Sequence, residues 1–376
     1  MGAGAAGAAN PSRTVSLRVR GVRRPSRFPS LKVTPLAATV AVAGAERHPA
    51  LVFLAAAWSW LFLALLLVFF EAWAQSAYGI SFVFNGFNVQ SILLFAATPL
   101  LLGLGQTFVI IAGGIDLSVG FVMGLASVVM ARVMQMLTPI DPGLALALGV
   151  LVAFGVALIP GLVNGLLISR LAIPAFIGTL GMYGVARGAG FLAAGGTTVP
   201  VNNPWLFQMG SGKLLGVPIP IVITVLVVLG MHWVLSQTRF GQHTYAIGGN
   251  RMAALRSGIN VRRHTLWLYM ISAGCAGIAG LIYTARFSAG AAQAGEPLLL
   301  DSIAAVVIGG ASLFGGSGTI IGTVIGALII AVIQYGLVFI NVEPFWQFVA
   351  VGIVIIVSVL IDQSRVRLTG EAKDGE

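Results

Sequence analysis

The strongest constraint on the fold is a series of long apolar runs that contain almost no charge. Of the 376 residues, 58% are hydrophobic and only 9% are charged, whereas a soluble domain carries about 25% charged residues. So little charge leaves too few polar side chains to cover a water-soluble globule of this size. A helix that spans a bilayer needs about 20 mostly apolar residues. The sequence therefore predicts an all-α, polytopic membrane protein.

The apolar runs predict about ten transmembrane helices, some of them broken. They lie at 50–72, 91–112, 117–137, 143–168, 173–195, 219–236, 266–285, 300–313, 318–340 and 344–361. The run at 300–313 is too short to cross alone, so it is either half of a broken helix or begins earlier, near Pro297. We expect a transmembrane domain at 50–362 and a cytoplasmic C-terminal tail at 363–376. The basic, Pro- and Ser-containing segment 1–49 is predicted to be a disordered cytoplasmic tail; the alternative is that translation starts later.

The distribution of lysine and arginine predicts that both termini are cytoplasmic. If the N-terminus is inside, 17 of the 21 basic residues fall in the two tails, at Arg170 and in the loop 237–265, as expected from the excess of basic residues in cytoplasmic loops. The same pattern accounts for the net charge of +10. Lipid, and not nucleic acid, is therefore the expected surrounding.

One carboxylate, Asp116, stands between two long apolar runs in the sequence Ala-Gly-Gly-Ile-Asp-Leu-Ser-Val-Gly. Asp116 or Ser118 can cap the following helix by accepting from its free backbone N–H groups. The alternative is a broken helix that lines a path, or an ion or proton site, because ionisable groups at membrane depth are expensive and usually functional. The residues favour the cap, so Asp116→Asn should keep substantial transport; complete loss with normal expression would favour the path.

The polar loop 237–265 contains a compact helical motif. Gly248-Gly249-Asn250 is a turn and helix-start signal, residues 251–257 predict a short helix with Ala253 and Ala254 on one side, and a glycine ends it. A short exposed helix suits docking into a groove of another protein; the alternative is a solvated basic loop. The candidate docking residues are Gly248, Gly249, Asn250, Arg251, Ala253, Ala254 and Gly258.

Gly318, Gly322 and Gly326 recur every four residues and predict a ridge for close helix packing in lipid. The glycine cluster before them cannot be a P-loop, which requires Gly-Lys followed by Ser or Thr. The three lysines of the chain are each followed by another residue type; they are Lys32, Lys213 and Lys373.

Catalysis is not predicted, since no two histidines have metal-ligand spacing and Asp116 has no evident catalytic partner. Neither a metal nor a cofactor is expected. Polar groups in or beside the apolar runs are mostly hydroxyls and amides, which suits a neutral, hydrogen-bonding solute. The candidate pathway residues are Gln106, Thr107, Asp116, Ser118, Asn164, Tyr183 and Gln334.

Three segments resemble the signatures of permease subunits of monosaccharide ABC importers, the ribose, xylose, arabinose and galactoside group. They are 111–120, then 245–250 with 257–260, and 301–310 continuing to Gly318. The resemblance covers roughly residues 85–362. Related permeases carry branched-chain amino acids or nucleosides, and the Asp-Leu-Ser sequence at 116–118 favours the sugar group.

The resemblance implies a multi-pass permease of the bacterial inner membrane that pairs with a second copy or a related subunit. It implies a cytoplasmic ABC ATPase, which uses ATP and Mg²⁺ and docks on the helix at 248–258, and a periplasmic sugar-binding protein. The family's docking pattern is Glu-Ala-Ala followed by Gly. Here Met252 replaces the acid, which puts a salt bridge to the ATPase in doubt, and the order Leu255-Arg256 is the reverse of the usual one.

Two other classes of function are weighed against this one. A gradient-driven secondary transporter would use Asp116 as a proton or cation site, but the sequence predicts only one intramembrane carboxylate and one intramembrane arginine, Arg187. A membrane enzyme would need paired ionisable residues. For the ABC permease, Ala254→Arg or Gly258→Pro should abolish co-purification of the ATPase while leaving the fold intact.

Overall fold

The computed structural model describes the backbone of residues 49–343 and 345–369, and the side chains of 58–343, 345–358 and 360. The predicted N-terminal tail, apart from Pro49, lies outside the described residues, as does 370–376. Residues 363–369, predicted as part of the C-terminal tail, continue the last helix instead.

The described part of the chain is a helical body with thirteen helices and two short strand pairs. The helices are α1 (Pro49–Tyr78), α2 (Gly86–Ile111), α3 (Val119–Leu137), α4 (Pro142–Ser169), α5 (Ala175–Ala194), α6 (Pro204–Ser211), α7 (Ile219–Gln237), α8 (Arg239–Gly249), α9 (Arg251–Arg256), α10 (Val261–Phe287), α11 (Glu296–Ile308), α12 (Ile320–Phe339) and α13 (Phe345–Thr369). The strands β1 (Val199–Pro200) and β4 (Ala289–Gly290) pair antiparallel, as do β2 (Lys213–Leu214) and β3 (Val217–Pro218).

Each predicted apolar run contains a helix, but only seven described helices are long and apolar enough to cross a membrane: α1, α2, α3, α4, α7, α10 and α12. The polytopic class is confirmed, and the count of ten is not. Helix α5 has 20 residues, but its glycines and Arg187 lower its mean hydropathy. The apolar part of α13 is only Phe345–Ser358.

Helix α11 begins before the apolar run at 300–313, at Glu296, with Pro297 in its first turn. Its 13 residues give about 20 Å, less than the roughly 30 Å of a bilayer core. The preceding non-helical segment packs along α3, where the Ser127 hydroxyl accepts from Ala291 N at 3.2 Å and lies 3.2 Å from Ala291 O. This hydroxyl satisfies backbone groups that lipid cannot.

The loops gather at two ends of the body. At one end the Gly316 N–H donates to the Ile111 carbonyl at 2.8 Å, and the Tyr245 hydroxyl donates to Gly318 O at 2.7 Å. This brings the α2–α3 turn, the loop 237–265 and the glycine-rich loop 309–319 together. At the other end β1 pairs with β4, and Asn203 donates to Thr138 Oγ1 and Pro142 O.

Helices α11 and α12 approach each other through glycines. A Cβ on Gly322 would overlap the carbonyl oxygen of Gly309, and a Cβ on Gly326 would overlap that of Ala305. Gly318 precedes α12, which begins at Ile320, so it does not belong to a helical ridge; its φ of +148° instead fits the turn that leads into the helix.

We expect Gly326→Ala to lower the melting temperature of the purified protein in detergent, since overpacking of this kind costs about 1–3 kcal/mol. The matched control is Gly230→Ala in α7, where an added Cβ meets no atom within 4 Å; it should leave the melting temperature unchanged or raise it slightly. Equal melting temperatures for both variants would contradict the tight contact.

Candidate translocation and coupling sites

The turn after α2 carries Asp116 back into the protein. Helix α2 ends at Ile111, and Gly113 has a φ of +78°, a conformation that favours glycine. The chain then folds back, and the Gln106 side-chain amide donates to the main-chain oxygen of Asp116. Asp116 therefore lies beside the body of α2 and not beyond its end.

The Asp116 carboxylate links two helices in the interior, where it is 1% exposed. Its Oδ1 accepts from the Ser118 N–H at 3.0 Å and the Ser118 hydroxyl at 2.6 Å, and its Oδ2 accepts from the Ser272 hydroxyl of α10 at 2.8 Å. Asn164 of α4 adds a third helix by donating to Ser118 Oγ at 3.0 Å. We call Gln106, Asp116, Ser118, Asn164 and Ser272 the Asp116 network.

The geometry is more than a helix cap. Asp116 accepts from the N–H of Ser118, which precedes α3 and is its N-cap residue, and the Ser118 side chain makes no cap bond to the helix. The additional bond to Ser272 fastens the start of α3 to α10. Sequence reasoning missed Ser272, since a single serine in an apolar run carries no signal of its partner.

Two amide oxygens of the network, Gln106 Oε1 and Asn164 Oδ1, are buried and receive no donor from the described residues. The orientation of each side-chain amide is set by the hydrogen bond that its nitrogen atom donates. If Gln106 were reversed, its oxygen would face the main-chain oxygen of Asp116, and two acceptors would repel. Each side chain is thus held by the hydrogen bond that its NH₂ group donates, and its carbonyl oxygen receives no donor from the described residues.

The other predicted pathway residues are in separate places. The Thr107 and Thr323 hydroxyls lie 2.6 Å apart between α2 and α12. Gln334 donates to the Asp301 carboxylate at 2.9 Å, so the expectation of a single intramembrane carboxylate is wrong. Tyr183 is half-buried on α5.

The predicted short helix is present as α9. The Asn250 side chain accepts from the Ala253 N–H at 2.9 Å, and Gly258 follows the helix with a φ of +88°. Gly248 and Gly249 form the last turn of α8 and not a separate turn. A Cβ on Gly248 would overlap the Ile111 carbonyl, so glycine there lets α8 touch the end of α2.

The two alanines of α9 face different ways, contrary to the prediction. Ala254 is buried against Ile247 and Val261, while Ala253 is exposed. Ala254→Arg would therefore break the packing of α8, α9 and α10. Gly258→Pro is also unsuitable, since proline cannot adopt a positive φ. The expectation that these variants leave the fold intact is wrong; the exposed side chains of α9 are Arg251, Met252, Ala253, Leu255 and Arg256.

A cavity of about 400 Å³ separates α9 from the turn that carries Asp116. Gly113, Gly114, Arg251 and Tyr269 line it, among others, and the Tyr269 hydroxyl donates to Ile115 O at 3.3 Å. Arg251 of the candidate docking helix therefore shares a cavity with the turn that precedes α3.

A hydrogen bond joins α8 to the glycine-rich loop. Burial raises the pKa of the Tyr245 hydroxyl, so it remains a protonated donor to Gly318 O.

Among the side chains that the structure describes, no three of the types His, Cys, Asp and Glu come close enough together to hold a metal ion.

Comparison with known proteins identifies the family. A family model described as the permease component of branched-chain amino acid transport systems matches residues 88–359. The chain belongs to this permease family. With seven helices apolar enough to span a bilayer, the permease is a multi-pass inner-membrane protein and a transport subunit. No solved structure matches it significantly.

Several relatives of the permease are named as permease proteins for sugars. It is 41% identical over 280 residues to the ribose import permease protein of Bacillus subtilis, covering 74% of this chain and 85% of the relative. It is 35% identical to the D-allose transport system permease protein of Escherichia coli, covering 73% and 83%. It is 36% identical to the fructose import permease protein of Rhizobium meliloti, covering 74% and 79%.

The Asp116 network generates a pair of variants with opposite outcomes. In Asp116→Asn the amide oxygen still accepts from Ser118, and the amide nitrogen can donate to a rotated Ser272 hydroxyl, so we expect a melting temperature close to that of the wild type. Asp116→Leu leaves three buried donors unpaired, at about 1–3 kcal/mol each, and should melt clearly lower. Equal thermal stability of both variants in detergent would contradict the role of Asp116 in joining the start of α3 to α10.

Proposed function

We propose that this chain is the membrane-spanning subunit of an ATP-binding-cassette importer that moves a monosaccharide from the periplasm to the cytoplasm. The observation that carries the proposal is its 35–41% identity, over about three quarters of the chain, to import permeases named for ribose, allose and fructose. The hydroxyl- and amide-rich interior supports a neutral solute. The chain itself holds no cofactor, and ATP and Mg²⁺ belong to a partner ATPase.

Both termini lie in the cytoplasm in this proposal, with α5, α11 and α13 adding to the seven apolar helices for about ten membrane segments. The two loop ends of the body support the orientation. The end that holds α8 and α9 carries six arginines: Arg170, Arg239, Arg251, Arg256, Arg262 and Arg263. The opposite end holds three basic residues, Arg132, Lys213 and Arg286, beside the acidic Asp141 and Glu343. Basic residues concentrate on the cytoplasmic side of membrane proteins.

The ATPase docks on the exposed face of α9, which consists of Met252 and Leu255 flanked by Arg251 and Arg256. This face carries no carboxylate, so the contact rests on apolar burial and on the two guanidinium groups. A push on α9 passes to α8, and from Gly248 and Tyr245 to the end of α2 and the glycine-rich loop. Loop 237–265 is thereby mechanically linked to the helices that hold the Asp116 network.

A second copy packs against the exposed face of α5. Gly181, Gly184 and Gly188 lie on that face, and a Cβ added to any of them meets no atom within 4 Å. Small residues at such spacing let membrane helices approach closely. The solute pathway then runs between two copies along α5. In this arrangement the buried Asp116 network shapes the wall of the pathway, and Tyr183 is closest to the solute.

The periplasmic binding protein meets the opposite end. There α6 exposes Trp205 and Phe207, and the turn between β2 and β3 exposes Leu215 almost completely. Exposed large apolar side chains grouped on a soluble face are typical of protein contact sites.

Transport by the complete importer tests the proposal. Proteoliposomes that contain this permease, its ATPase and the binding protein should accumulate labelled ribose, allose or fructose only when ATP is supplied to the ATPase side. Uptake that persists without ATP and collapses with the proton gradient would instead support the secondary transporter, with Asp116 and Asp301 as its titratable groups.

Docking is tested at the exposed apolar residues of α9. Met252→Asp combined with Leu255→Asp should abolish co-purification of the ATPase, because the apolar contact is lost and carboxylates are introduced into it. Leu215→Asp is the control: it places one such charge on an exposed leucine at the other end and should leave co-purification intact. Full retention of the ATPase by the double variant would remove α9 as the docking site.

A further inference from the structure

Arg187 is a cation deep in the membrane-embedded part of the protein. It is exposed and is the thirteenth of the 20 residues of α5, about 18 Å from the start of the helix and about 10 Å from its end. A guanidinium at this depth is costly in lipid, and such residues normally face protein or a water-filled cavity.

The side chain does not reach for the nearer membrane surface. Side chains on a helix lean towards its N-terminus, and the Arg187 guanidinium lies over the ring of Phe121, 5.4 Å from its centroid. Phe121 is the third residue of α3. Tyr183, one turn before Arg187, packs edge-on against the same ring at 4.6 Å. The guanidinium is thus directed along α5 away from its nearer end and held on an aromatic surface.

The donors of Arg187 remain unused, in contrast to those of two other arginines. Arg132 donates to the carbonyls of Ala193 and Ala194, and Arg286 donates to that of Leu94. Arg187 makes no hydrogen bond or ion pair with any residue that the structure describes. Its five N–H donors therefore find no acceptor among the residues that the structure describes.

We propose that Arg187, Tyr183 and Phe121 form a solute-contact site in the wall of the pathway, at which the guanidinium donates hydrogen bonds to the hydroxyl groups of a neutral sugar. The inference rests on the proposed function and names a contact of its substrate.

The fixed positive charge also suits a pathway that must not leak ions. A cationic side chain in a narrow pore raises an electrostatic barrier to protons and metal cations, while a neutral sugar meets no such barrier. An uncompensated arginine therefore combines attraction for hydroxyl oxygens with exclusion of cations.

Thiol labelling tests whether Arg187 faces water. Cys275 is the single cysteine and is buried, so Cys275→Ala gives a cysteine-free background. In it, Arg187→Cys should react with a membrane-impermeant methanethiosulfonate, and saturating ribose, allose or fructose should slow the reaction. The control Leu151→Cys, on the exposed face of α4, should not react. Equal rates at the two positions, or no protection by any of the sugars, would overturn the proposal.

Transport by the complete importer tests the contact itself. Arg187→Gln should lower sugar uptake by about tenfold to a hundredfold, as expected for loss of hydrogen bonds from a charged donor, and Arg187→Lys should be intermediate. Wild-type uptake by Arg187→Gln would refute the site. If the unmodified importer shows no ATP-dependent uptake, the proposed function fails, and thiol labelling still decides whether Arg187 lines an aqueous path.

Discussion

The arrangement of the helices depends on a single buried carboxylate. Asp116 stands on non-helical backbone inside the protein, where no lipid group can satisfy free N–H and C=O groups, and its two oxygens bind Ser118 at the start of α3 and Ser272 in α10. Asn164 attaches α4 to the same point. Because every carboxylate bond is made by a neutral donor, the junction needs no cation, and its strength comes from fixed geometry.

Close contacts through glycine connect this junction to the cytoplasmic end in the proposed orientation. Gly248 touches the carbonyl of Ile111, the last residue of α2, and the Gly316 N–H donates to the same carbonyl. Four residues separate Ile111 from Asp116 in sequence. In the proposed function, a displacement of α8 would act through these backbone contacts on the end of α2 and on the turn that carries Asp116.

Sequence patterns predicted the elements well and their partners poorly. The apolar runs located a helix in each predicted segment, because hydrophobicity over about 20 residues is a local property, and Asn250 with Gly258 located α9. Contacts between residues of different helices do not follow from the local sequence. Nothing in the sequence distinguished Ser272 from other serines, or indicated that Ala253 and Ala254 face opposite ways. Asp301 begins a segment that resembles a family signature. Its contact with Gln334 depends on the packing of α11 against α12, which the sequence does not indicate.

The two kinds of charge in the membrane-embedded region differ in how they are satisfied. Asp116 and Asp301 are buried and receive donors from their own chain, so their cost is offset inside each protomer and they hold helices together. Arg187 is exposed, lies on an aromatic ring and has no acceptor among the described residues. An isolated guanidinium at this depth is unfavourable in lipid, and none of the described residues compensates its charge. The carboxylates therefore belong to the scaffold, whereas the free donors of Arg187 agree with the proposed solute-contact site.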